Sequence, residues 1–140
     1  MRKYVFIFFI GVFVLSGCTH TQEFVHTKET IANQSIITEL EKEVKKIDDF
    51  YDTAIIETDD QVLIAYKIKH LKRFQMKKIE KDFNTRLEEA FPDKKIEISS
   101  DYKIFLETNR LISEMTNDKL TNQDVEKKLK KIIELKKEMT

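Results

Sequence analysis

The chain has 140 residues, with 25 basic against 25 acidic side chains, two glycines, one proline and one cysteine. So even a balance gives no bulk charge for holding nucleic acid, and so few glycines and prolines argue against a glycine-built phosphate loop or a turn-rich β barrel. A lone cysteine has no disulfide partner, forms no thiolate metal cluster and leaves no spare thiol nucleophile. The first segment in chain order has three parts. Arg2 and Lys3 form a positive start, Tyr4 to Leu15 is almost purely apolar, and Ser16-Gly17-Cys18 follows at once. That is the layout of an export signal. The apolar run of about twelve residues is well short of the roughly twenty that a spanning helix needs, so a retained anchor helix is the weaker reading.

Leu15-Ser16-Gly17-Cys18 resembles the lipobox of bacterial lipoprotein signals. The resemblance implies a diacylglyceryl group on the Cys18 sulfur and cleavage of the Gly17–Cys18 bond by signal peptidase II, with N-acylation of the new terminus as a further step. Small residues suit that cleavage, because Ser16 and Gly17 must thread a narrow protease cleft as extended backbone. Residues 1–17 are then a removed signal, and the mature chain carries 23 basic against 25 acidic groups. Residues 18–35 are polar and weakly patterned and read as a lipidated tether. Its stretched reach is on the order of 50 Å at about 3.3 Å per residue.

Residues 36–140 read as a single α+β domain. Ile36, Ile37, Leu40, Val44 and Ile47 recur at helical spacing among charged residues, and Asp48-Asp49 closes the pattern. Tyr51 to Thr58 is rich in β-branched residues. Val62 to Lys69 alternates, with Val62, Ile64, Tyr66 and Ile68 on one face, as in a half-buried strand. Asp59-Asp60 between the two runs suits a tight hairpin. A second helix runs from about Lys72 to Phe91, with Ile79, Phe83, Leu87, Ala90 and Phe91 as its buried stripe and Pro92 as its stop. Ile96 to Ser99 makes a short third strand. Ser99-Ser100-Asp101 offers caps for a third helix with Ile104, Phe105, Leu111, Ile112 and Met115 inward. Thr121-Asn122-Gln123-Asp124 opens a last helix that turns Val125, Leu129, Ile132, Ile133 and Met139 to one side. The order α-β-β-α-β-α-α predicts a sheet of about three strands, a hairpin plus one, covered by amphipathic helices, most simply on one face.

The stretch from Ile47 to Ile112 resembles the YhcN/YlaJ family of sporulation lipoproteins. The resemblance rests on Thr53-Ala54-Ile55-Ile56-Glu57, on Ala65-Tyr66 in the second strand, on the basic helix that follows, and on Phe91-Pro92 leading to Ile96-Glu97-Ile98-Ser99-Ser100-Asp101. Lys67 stands where the family has valine. The resemblance implies a lipid-anchored protein of endospore-forming bacteria, on the outer face of the cell membrane or in the spore inner membrane, that contributes to germination or outgrowth. It brings no catalytic residues with it.

Other chemistry is thinly represented. His20 and His26 are six apart, without the spacing of a helical metal pair, and His70 lies among Lys67, Lys69, Lys72 and Arg73. Asp48, Asp49 and Asp52, and then Asp59-Asp60, fall at a helix end and a hairpin tip, where turn chemistry favours aspartate. No cofactor and no metal is expected, and the chain reads as non-enzymatic. A cell-wall accessory enzyme or inhibitor, or an immunity- or conjugation-type surface lipoprotein, are the alternatives. Phe83, Phe91 and Phe105 read as core. Two basic segments stand out: Lys72, Arg73, Lys77 and Lys78, and then Lys127, Lys128, Lys130 and Lys131. Their bland reading is a solvated helix face paired with nearby Glu. Their sharper reading is contact with anionic lipid, a wall polymer or a protein partner, beside a membrane reached through the lipid anchor.

Overall fold

The computed structural model describes residues 24–25, 34–117 and 120–139. The lipobox from Leu15 to Cys18, His20, His26 and most of the expected tether lie outside these residues. Phe24–Val25, inside that tether, form a short strand β1, and Gln34–Lys45 form helix α1. The hairpin follows as β2 (Phe50–Glu57) and β3 (Gln61–Ile68). A 3-10 turn over His70–Gln75 leads into α2 (Met76–Ala90), then β4 (Lys95–Ser99), α3 (Tyr102–Thr116) and α4 (Asn122–Glu138). The α+β class and the expected order of the main elements hold.

The strands lie in the order β1-β2-β3-β4. β2 and β3 pair antiparallel, with a register shift between Phe50 and Asp52, whereas β1–β2 and β3–β4 are parallel. Parallel neighbours cannot be joined by a tight turn and need a crossover, usually helical. α1 and α2 supply the two crossovers and pack on the same face. Leu40 and Val44 of α1 and Phe83 and Leu87 of α2 share one core with Ile55, Val62, Ile64 and Tyr66.

The other face is covered as well, which alternation along β3 did not predict. Leu63 and Ala65, expected to face out, are fully buried under α3 and α4 with Ala54 and Ile56. The sheet is therefore sandwiched, and β3 is buried on both sides. Two further expectations need correcting. Ala90 and Met139 are expected in buried stripes, but both are exposed at the ends of their helices, whereas Phe91, just past α2, is buried as expected. Residues 70–75 do not open α2 as an α-helix but form the 3-10 turn before it.

Local signals set the ends of the elements. The Asp101 carboxylate accepts hydrogen bonds from the Lys103 and Ile104 amides and starts α3. Thr121 and Asp124 form a reciprocal capping box at the start of α4. The Asp124 carboxyl is held below its ordinary value of 3.8 by its hydrogen bonds from Thr121. α2 ends at Ala90, before Pro92, with the Phe91 amide donating to the Leu87 carbonyl at 2.9 Å. Ion pairs then tie elements across the sheet: Lys94 to Glu57 at 3.1 Å, and Lys136 to Glu97 at 2.7 Å.

Candidate functional site

Strand direction decides which segments meet. Phe24 pairs with Thr53 and Val25 with Ala54 in parallel, so the chain enters β1 from the end at which β2 begins. β3 finishes at that end, since Ile68 pairs with Phe50, and β4 finishes there too, because it runs parallel to β3. The approach to β1, the start of β2, the His70–Gln75 turn and the start of α3 therefore share one end of the sheet. The Asp59-Asp60 tip occupies the other. Cys18 precedes Phe24 by six residues, which span at most roughly 20 Å at about 3.3 Å each. That is far less than the full tether would allow.

The His70–Gln75 turn has no buried residue, and its two large apolar side chains, Leu71 and Phe74, are 90% and 98% exposed. Residues three apart in a 3-10 helix eclipse one another, so the two side chains project along one edge of the turn. Sequence reasoning passed over them. The available signal was their phase, since Phe74 precedes Phe83 by nine residues and nine steps of 100° place it half a turn from the buried stripe. The turn is fastened to the start of β2 through Asp49. The Lys69 amide donates to the Asp49 carbonyl at 2.9 Å, and the Lys72 ammonium lies 3.5 Å from the Asp49 carboxylate. Lys69, Arg73, Lys77 and Lys78 flank the apolar pair in sequence, are exposed, and make no ion pair among the described residues.

On the opposite face of the same end, Lys67 points from β3 toward α3. Its ammonium hydrogen-bonds the Asp52 carboxylate at 2.9 Å and lies 4.1 Å from the centre of the Phe105 ring. The rings of Tyr102 and Tyr51 are 5.7 and 5.9 Å away. The Asp52 hydrogen bond holds the Lys67 pKa above its ordinary value of 10.5, against the desolvation that lowers it. Tyr51 and Tyr102 are both partly exposed. A cation held over aromatic faces is attracted by their negative ring faces.

No protein-family model matches the chain, and neither a curated protein nor a solved structure matches it.

The expected cationic residues do not form one surface. Lys72, Arg73, Lys77 and Lys78 belong to the turn and to the first turn of α2, whereas Lys127, Lys128, Lys130 and Lys131 lie on α4, across the sheet. Lys128 is paired with Glu114, and Lys72 with Asp49. Lys127, Lys130 and Lys131 are exposed without an ion pair among the described residues. The acidic clusters are also apart. Asp49 and Asp52 are each matched by a lysine at the β2 start, and Asp59-Asp60 sit at the far tip. Two carboxyls serve as an acid–base pair only when they face one substrate from differing environments. Among the described residues no group of three or more His, Cys, Asp or Glu could hold a metal ion, and no helix is long and apolar enough to cross a membrane.

Proposed function

We propose that the protein is a non-enzymatic lipoprotein, anchored to the outer face of the cell membrane through diacylglyceryl on Cys18. We assign it to the sporulation class, acting at the spore membrane in germination or outgrowth. The observation that carries the anchor is Leu15-Ser16-Gly17-Cys18, the single cysteine of the chain directly behind a charged start and a short apolar run. Two or more acyl chains at Cys18 suffice for stable anchoring where one is marginal. The short reach from Cys18 to β1 supports the reading, because it keeps the cation-rich end of the sheet close to the lipid. The pairing of Asp49 and Asp52 with lysines supports a binding or structural role over hydrolysis.

The test compares wild type with Cys18→Ser in growing cells and in spores. Wild type is expected in the membrane fraction, with incorporated lipid label and a size seventeen residues short of the precursor. Cys18→Ser is expected to lose the label and keep its signal. Processing of Cys18→Ser to the wild-type mature size would refute the anchor, and expression confined to vegetative cells would refute the sporulation assignment.

A further inference from the structure

The anchor accounts for where the domain is held but leaves Leu71 and Phe74 unexplained. Two neighbouring large apolar side chains that are almost wholly exposed beside charged residues are the kind of surface that marks a contact with a partner or a membrane. Here the pair sits on a short turn with exposed Lys69, Arg73, Lys77 and Lys78 at neighbouring positions of the chain, and the turn is fixed to the start of β2 by the Lys69 amide and the Lys72 ammonium. Exposed apolar side chains with cations at neighbouring positions match the layering of an anionic bilayer, acyl chains within and phosphates at the surface. Partly exposed Tyr51 and Tyr102 mark the same end of the sheet, and tyrosine suits the headgroup level.

We propose that this end of the domain is a second membrane contact, in which Leu71 and Phe74 enter the acyl boundary of an anionic leaflet while the neighbouring cations meet its phosphates. The inference rests on the lipid-anchored reading, because β1 receives the chain from Cys18 at this very end. Anchor and wedge together make a two-point attachment. They stand the sheet on the membrane and direct the Asp59-Asp60 tip away from it, roughly 25 Å off at about 3.3 Å per residue of β2. The α4 lysines, across the sheet from the turn, take no part.

The experiment uses the full lipidated chain in vesicles of phosphatidylcholine mixed with phosphatidylglycerol, and in vesicles of phosphatidylcholine alone. With Cys18 acylated, Gln75→Cys or Asp60→Cys offers a single free thiol for an environment-sensitive dye, and both positions are exposed. On anionic vesicles the dye at 75 should shift to the blue, with several-fold stronger quenching by lipid-borne quencher than the dye at 60. Leu71→Ser with Phe74→Ser, both at exposed sites, should bring position 75 down to the reading at 60. Equal readings at 75 and 60, or the same reading at 75 on anionic and neutral vesicles, overturn the proposal. A blue shift that grows with protein concentration in the absence of vesicles assigns the turn to a second copy of the chain and also overturns it. Mass analysis of the Cys18 peptide on the same preparation separates the two readings. An acylated Cys18 with no quenching at 75 sinks the wedge alone, and an unacylated Cys18 sinks the anchor.

Discussion

Tyr66 is fully buried, stacked on Phe50 with ring centres 4.0 Å apart and met edge-on by Phe83. Its hydroxyl makes no hydrogen bond of normal geometry among the described residues, although Glu80 and Ser100 lie beside it. A buried, unsatisfied polar group costs about 1–3 kcal/mol, whereas removing it and keeping the ring leaves the packing intact. Tyr66→Phe is expected to raise stability by about 1 kcal/mol, read as a higher urea midpoint at unchanged slope. A lower midpoint would show that the hydroxyl has a partner in solution. Burial, reinforced by the nearby Glu80 carboxylate, pushes the Tyr66 hydroxyl well above its ordinary 10.0. Above that pH the unfolded chain releases a proton that the folded chain retains, so this contribution to stability is lost as pH rises. The alkaline fall in stability should therefore be shallower in Tyr66→Phe. Residue-scale chemistry was only partly legible. The position of Tyr66 in a core strand follows from alternation, but the orphaned hydroxyl depends on which neighbours approach it.

At the scale of elements, caps were legible and burial at helix ends was not. Ser99-Ser100-Asp101 offers three capping side chains, and the fold selects Asp101 because Ser99 is the buried last residue of β4, its hydroxyl oxygen accepting from the Asp101 amide at 3.2 Å. Asp101→Ala should lower stability by about 1 kcal/mol, with Asp101→Asn close to wild type, as measured by urea unfolding. An unchanged midpoint in Asp101→Ala would mean that the cap is redundant with packing. α2 behaves differently. Gln75 precedes it without a side-chain cap, because the helix continues directly from the 3-10 turn. That continuity explains why periodicity suggests one helix from Lys72. The phase of Phe74 relative to Phe83 already points it away from the buried stripe, but no residue type in His70–Gln75 announces the 3-10 turn.

The whole molecule is two cores sharing one sheet, and the second depends on α3 and α4. α4 contributes Val125, Leu129, Ile132 and Ile133 to this buried core. At about 1.5–3 kcal/mol for each such side chain, their loss is comparable with the roughly 5–15 kcal/mol that holds an ordinary domain together. A chain ended at Asn117 is therefore expected to lose cooperative urea unfolding and to bind an apolar-surface dye. Retention of a sharp transition would show that the α1–α2 side folds independently. This prediction could not be drawn from alternation in β3, where Val62, Ile64, Tyr66 and Ile68 read as the only inward set. Leu63 and Ala65 are just as deeply buried, because the α3–α4 pair closes over them.

By itself, the sequence determined the features that local chemistry dictates: the succession of helices and strands from their periods, the capped starts of α3 and α4, the stop at Pro92, and the arrangement of charge, apolar run and small residues that leads to Cys18. Tertiary structure alone decided what depends on contacts between distant segments. It paired Phe24–Val25 with β2 in parallel, which brings the chain from Cys18 to the end of the sheet that carries Leu71 and Phe74. It also put the two groups of lysines on opposite sides of the sheet. Both outcomes follow from strand direction and layer order, which are set by how apolar faces cover one another rather than by any residue's own preference.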